Sequence, residues 1–432
     1  MTLTLEERFP LLDQRGRETL RWLSEHPAAP RYNYACGDML SQEGLRRVRA
    51  YAADQAARPP GWEGQPEWLD EFAQRCLARV PFYRRYGGWT GDFEGLPTFD
   101  RRELARQPWE FVSDDQPLDD LIMYYTSGTT ASKMWVLADP ESSNKYLVAL
   151  ERALALAQVA FTGGTRVALA LVGHQENTLT YPCVSTYLGQ AGYLKLNLHP
   201  AQWHHPDDRV RFLDECQVEV YSGDPLAFLE LKKLPLTTRP RALVSTSMNL
   251  SPGMRAELEG HFGCPVLDLY SLCEARCLAV DLGTGHQVLT NDLYVEILDD
   301  EDRPAQRGEV VLTGGRNPFI PLLRYRTGDY ASLEMRGRTP VLVGLEGRQP
   351  VAFLAADGRL VNNIDVTEVM KPLPVPQYHL HQQADGSLVL RYQGEVEEAE
   401  LRGALEPLLG RIQVRREPME GRKMVRYTSD RC

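Results

Sequence analysis

Three short segments of this chain combine residue types whose spacing could do chemistry. The first is Tyr124-Tyr-Thr-Ser-Gly-Thr-Thr-Ala-Ser-Lys133, a strand-like lead-in followed by small hydroxyl residues around Gly128. The backbone N–H groups of such a loop, with the hydroxyls of Thr126, Ser127, Thr129 and Thr130, can wrap phosphate oxygens. Its glycine spacing is not that of the Gly-x-x-x-x-Gly-Lys-Ser/Thr loop. The second is Asp268-Leu-Tyr-Ser-Leu-Cys-Glu274, where Tyr270 can stack on a flat ring and Glu274 can hold a hard cation such as Mg²⁺ beside phosphates. The third, Arg324-Tyr-Arg-Thr-Gly-Asp329, puts a carboxylate after a tight turn, where it can accept hydrogen bonds from a sugar diol. Taken singly, each has a plainer reading: a Ser/Thr-rich surface turn, a strand end with a core Tyr and a solvated Glu, and a self-satisfied turn.

Together, in this order and spacing, the three resemble the adenylate-forming superfamily of acyl-CoA synthetases, nonribosomal adenylation domains and luciferases. Thr126–Thr130 is similar to its Thr-Ser-Gly-Thr-Thr-Gly loop, Tyr270–Glu274 to its Tyr-Gly-x-Thr/Ser-Glu motif, and Tyr325–Asp329 to its Tyr-Arg-Thr-Gly-Asp motif. The branch it resembles most is that of phenylacetate–CoA ligases. Val80-Pro-Phe-Tyr-Arg84, Leu96-Pro-Thr-Phe-Asp-Arg101 and Ser251-Pro-Gly-Met-Arg255 look like elements of that branch, and the likeness covers about residues 75–430. The resemblance implies ATP- and Mg²⁺-dependent activation of a carboxylic acid as its acyl-AMP. Thr126, Ser127, Gly128, Thr129 and Thr130 would hold the phosphates, with Thr126 counted among the catalytic residues, and Glu274 would bind Mg²⁺. Tyr270 and Ser245 would lie by the adenine, and Asp329 and Arg348 would reach the ribose. Gly421-Arg-Lys-Met-Val-Arg426 resembles the Gly-Lys-x-x-Arg ending with one residue inserted, which makes Lys423 the candidate cation between the attacking carboxylate and the α-phosphate. A solvated lysine among basic neighbours is the alternative.

Several positions depart from the pattern. Ala131 stands where glycine is favoured, Ser132-Lys133 replaces Lys-Pro, Ser271 replaces a glycine, and Cys273 replaces a hydroxyl residue. The junction Gly347-Arg-Gln-Pro350 lacks the usual acidic pair, and Pro350 stiffens it. Adenylation is therefore the firmer expectation. Coenzyme A is the implied acceptor, with a carrier-protein thiol or an amine as the alternative. A non-catalytic nucleotide-binding relative is the rival from another class. His174 and Gln175 follow an expected strand, in the region where relatives line the acyl pocket; they are candidate substrate contacts, or simply loop surface.

Positioning these residues requires an α/β scaffold. Residues 1–110 read as mostly helical, with apolar residues at helical spacing over 44–57 and 66–79. Strands are expected at 121–125, 167–172, 218–221, 242–245 and 266–269, with helices such as 143–159 and 251–262 between them, the alternation of a largely parallel sheet. Strand-rich sequence follows at 293–298, 309–313 and 341–344. Strands near 351–354, 378–382, 387–392 and 412–415 with a helix at 395–409 make a small α+β unit. The expected architecture is a large multi-sheet body over 1–345, a hinge at 346–350 and a cap over 351–432.

Composition sets the outer bounds. The 432 residues are 43% hydrophobic and 25% charged, with formal charge −11. This is the balance of a globular chain, and it argues against nucleic-acid binding through bulk electrostatics. No apolar run approaches the roughly 20 residues of a membrane helix. The N-terminus does not read as a signal peptide, and eight scattered cysteines fit reduced thiols, so a cytoplasmic protein without membrane association is expected. Cys273, Cys277 and His286 fall short of a zinc set. The resemblance further suggests a homodimer whose partners are a small-molecule acid and, under the alternative, an acyl-carrier protein.

Overall fold

A computed structural model describes residues 3–58, 60–125, 134–163, 166–175, 178–347, 351–419 and 426–431, apart from the side chains of 125, 362 and 364. The expected loop 126–133, Arg348 and Lys423 lie outside the described residues.

A 13-stranded sheet runs through the body. Val167–Gly173, Ala191–Asn197, Val220–Gly223, Ala242–Ser245 and Val266–Leu272 pair in parallel. These strands are almost wholly apolar because helices cover both faces of a parallel sheet. After a turn the chain reverses into Arg276–Asp281, and antiparallel strands continue the same sheet to Leu293–Leu298 at its far edge. Alternation along the sequence could not reveal that the parallel and strand-rich halves share one hydrogen-bonded sheet. The strand Ile122–Tyr125 also differs from expectation. It pairs antiparallel with Trp135–Ala138 in a separate two-stranded sheet rather than joining the parallel array.

Helices dominate the N-terminal part: Gln14–Glu25 comes first, and Gln42–Ala57 and Trp68–Arg79 follow where the spacing predicts them. Asp13 and Ser41 cap the first two by accepting N–H bonds from Gly16 and Gly44. The short helix Pro81–Arg84 is tied to the sheet by one side chain. The buried Tyr83 hydroxyl donates to the Pro321 carbonyl (2.9 Å) and accepts from the Leu323 amide (3.0 Å). Around it Phe82, Phe99, Phe111 and Tyr325 form an aromatic core. Asp100 then caps the helix Arg101–Arg106 with a full capping box, so Arg101 leaves the sheet surface in a set direction.

The last part of the chain has its own core around Phe353, Leu380, Leu390, Leu405 and Ile412. Its sheet contains Gln377–Gln382, Leu388–Gln393, Ile412–Arg416 and Tyr427–Ser429, with the helix Glu398–Leu409 packed beside it. Hydrogen bonds among the described residues join it to the body on both sides of the junction. The Ser251 hydroxyl and the Gly253 amide donate to the carbonyls of Leu373 and Lys371. Asn363 donates to Glu346 of the long strand Thr339–Gly347. A Cβ on Gly253 would stand 2.3 Å from the Pro372 carbonyl oxygen, so glycine is needed there for the close approach. Among the described residues no helix is long and apolar enough to cross a membrane.

Candidate functional site

Register across the parallel strands aligns the candidate residues. Val172, Gly223, Ser245 and Asp268 pair in one row. His174 and Tyr270 each stand two residues beyond that row, His174 just after its strand and Tyr270 toward the carboxyl end of its own. Three strand spacings separate them, about 14 Å. Carboxyl edges of parallel strands are where α/β sheets bind ligands.

Tyr270 does not follow its strand but lies within it, since Val266–Leu272 extends past the expected end. Its hydroxyl donates to Asp329 Oδ2 at 2.8 Å, joining two of the expected site residues. Burial, reinforced by the Asp329 carboxylate, keeps this phenol protonated far above ordinary pH. Asp329 does not follow a tight turn as expected: it lies within the strand Leu322–Arg336, just after a bulge where Gly328 takes φ +80°. Asp329 pairs with Gly347, the residue before Arg348. Ser271, which replaces a glycine of the resembled motif, has no positive φ, so that substitution carries no backbone strain.

Glu274 is the most deeply placed carboxylate of the group, 1% exposed. Its Oε1 accepts from the Tyr325 hydroxyl at 2.6 Å and from Arg101 Nη1 at 3.0 Å. Its Oε2 is buried and has no hydrogen-bond partner among the described residues. A hard cation takes such oxygen ligands, so this carboxylate fits Mg²⁺ through one oxygen while the other is held by the protein. Ser245 Oγ, at the end of the neighbouring strand, is likewise buried without a partner among the described residues.

Sequence reading missed Arg101, the Tyr325 hydroxyl, Tyr124 and Arg276. The first two appear in resembled elements but were given no role. Tyr124 donates to the Cys273 carbonyl (3.4 Å), and the Arg276 guanidinium lies 5.6 Å from its ring centre. The signal that could have flagged Arg276 is a lone cation two residues after the candidate metal ligand.

At the other end of the row, His174 stacks on His199 with ring centres 5.5 Å apart. Gln175 is held through its backbone, its amide donating to Asn197 Oδ1 (3.2 Å) and its carbonyl accepting from Asn197 Nδ2 (2.6 Å). Burial holds His174 below the usual histidine range, with Glu230 opposing and His199, Lys233 and Arg209 reinforcing. The imidazole is therefore neutral at pH 7. A proton-detected titration should place its midpoint below about 6.5, the ordinary value. Because the folded state resists protonation, the stability contributed by neutral His174 is present above about 6.5 and is lost as pH falls through the folded value.

No family model matches the chain, and no curated protein matches it in sequence. Solved structures do. A 2-hydroxyisobutyryl-CoA ligase in the postadenylation state, in complex with 2-HIB-AMP, superposes with a TM-score of 0.61 at 16% identity, covering 84% of this chain and 88% of that one. An open conformation of the same ligase with 2-HIB-AMP and CoA gives 0.54 at 16% identity, covering 83% and 89%. The anthranilate CoA ligase AuaEII in complex with anthranoyl-AMP gives 0.50 at 12% identity, covering 73% and 66%. The protein therefore has the fold of the adenylate-forming ligases, the superfamily that its three motifs resemble.

Proposed function

We propose that this protein activates a carboxylic acid with ATP, forming an acyl-adenylate with release of pyrophosphate, and then passes the acyl group to the thiol of coenzyme A. The observation that carries the reading is the pair of contacts Tyr270–Asp329, half-buried, and Tyr325–Glu274, buried, which joins two motifs distant in sequence. In the activation step a carboxylate oxygen attacks the α-phosphorus and the bond to the β-phosphate oxygen breaks. Asp329 accepts hydrogen bonds from the ribose diol while its other oxygen is steadied by Tyr270. Arg348 reaches the same sugar, and Tyr270 and Ser245 face the adenine. Thr126, Ser127, Gly128, Thr129 and Thr130 hold the phosphates through amide and hydroxyl donors. Glu274 would hold Mg²⁺ through Oε2, and the ion would neutralise phosphate charge. His174 and Gln175 sit about 14 Å along the sheet edge, a span suited to the acyl group. An aryl or arylacetic acid, as for the phenylacetate–CoA ligases, is the proposed class.

Residues 351–432 act as a lid hinged at 346–350, and Lys423 supplies the cation at the α-phosphate. Arg426, three residues on, is within electrostatic reach of Glu346 and of Asp268 on the site strand, which supports delivery of this segment to the site.

The test is exchange of labelled pyrophosphate into ATP with a panel of aryl, arylacetic, amino and short aliphatic acids. Acid-dependent exchange is expected. Lys423→Ala should lower it by roughly 10²-fold or more through loss of one preorganised charge. Tight ATP binding without exchange under any acid would instead identify a nucleotide-binding relative that does no chemistry.

A further inference from the structure

Arg276 has no part in the motifs or in the reaction proposed above. It opens the strand Arg276–Asp281 with φ +66°, a left-handed conformation that non-glycine residues adopt at a cost and that concentrates at functional sites. The ladder with Val266–Leu272 is irregular there, its register shifting between Cys277 and Ala279. The side chain lies by Tyr124, on the strand that leads into the hydroxyl-rich segment. Its Nε and Nη2 are buried, and neither has a hydrogen-bond partner among the described residues. These two N–H groups form the side-on edge of a guanidinium, the edge that grips two oxygens of one carboxylate or phosphate. Leaving charged donors unmade inside a protein is costly.

Two residues before Arg276, Glu274 Oε2 has no hydrogen-bond partner among the described residues either. The cation and the carboxylate lie two residues apart in the chain, and no hydrogen bond or ion pair joins them among the described residues. A ligand that brings an oxyanion to the one and a cation to the other would satisfy both.

We infer that Arg276 is an oxyanion-binding residue whose Nε and Nη2 donate to two oxygens of a bound phosphate or carboxylate, supplied by the nucleotide or by the substrate acid. The inference rests on the reading of the site as one for ATP and a carboxylic acid. It adds a recognition residue that none of the three motifs contains.

Arg276→Met and Arg276→Lys separate the possibilities. Binding of Mg·ATP is measured by calorimetry, and the KM of the acid by pyrophosphate exchange over the same panel. With the phosphate as ligand, Arg276→Met should weaken Mg·ATP binding roughly 10- to 100-fold; with the carboxylate as ligand, ATP binding is unchanged and the KM of the acid rises by that factor. Arg276→Lys should recover part of the loss, since it keeps the charge without the fork. The ligand-free Tm of Arg276→Met should equal or exceed that of the wild type, because two buried N–H groups without partners among the described residues are removed. A structural role would lower the Tm and leave both ligand parameters alone, which would overturn the inference. For the wild-type chain, Mg·ATP or the acid should shield the Arg276 peptide from phenylglyoxal; labelling indifferent to both ligands also overturns it. If the wild type binds neither Mg·ATP nor any acid, the proposed function falls first. If it binds them and the variants bind equally well, only the role of Arg276 falls.

Discussion

Glu274→Gln should fold and yet lose ATP–pyrophosphate exchange by about 10²- to 10³-fold, the usual effect of removing one preorganised charge from a reacting centre. Glutamine has nearly the shape of glutamate, and its carbonyl can still accept from the Tyr325 hydroxyl and from Arg101 as Oε1 does. The change falls on Oε2, the buried oxygen without a partner among the described residues. There an amide N–H₂ would replace a lone-pair donor to the cation. The Mg²⁺ concentration for half-maximal exchange should therefore rise along with the loss of rate. Near-normal exchange in Glu274→Gln, with an unchanged Mg²⁺ requirement, would remove Glu274 from the metal site and leave it a structural partner of Arg101. Tyr325 makes a useful companion: burial and the adjacent Glu274 keep its hydroxyl a proton donor.

Arg324→Met should cost about 3–5 kcal/mol of stability, the penalty for stripping one partner from a buried ion pair. Arg324 is 1% exposed, has φ +55°, and donates to both Glu296 oxygens and to the carbonyls of Glu94 and Leu96. It ties the turn at residues 94–96 to the strand Leu293–Leu298, beneath the Tyr325–Asp329 motif. Burial already pushes Glu296 above the usual carboxylate range, and Arg324 is what opposes that shift. Without Arg324 the folded value rises further. A group raised on folding stabilises when protonated, so the deficit of the variant is smallest below about 4.3, the unfolded value, and grows as pH rises through the folded value. Urea unfolding at pH 4 and pH 7 measures this. A deficit that is the same at both pH values would show that Glu296 is not the group left unpaired.

The strands of the parallel half could be read from the sequence because they are short apolar runs punctuated by turn residues, and burial on both faces demands that composition. Val167–Gly173 and Ala242–Ser245 fall close to their expected limits. Ile122–Tyr125 has the same apolar character yet pairs in a separate two-stranded sheet, and period alone cannot tell these settings apart. The motif residues Tyr270, Glu274 and Asp329 were legible only through the resemblance of three segments taken together, since each segment by itself has a plainer reading as a turn or a strand end.

What the sequence by itself determined is therefore the alternation of elements, set by local pattern, and three short segments whose joint resemblance implied the fold and the site. Only the tertiary structure decided the partners. Glu274 meets Arg101 across 173 residues and Tyr325 across 51, and Tyr270 meets Asp329 across 59. It likewise decided that Arg276, which no motif marks in the sequence, carries a buried edge without a partner among the described residues. Such pairings depend on which strands are neighbours in the sheet and on a left-handed residue at a register shift. Strand order arises from the packing of the whole core, so no local pattern encodes it.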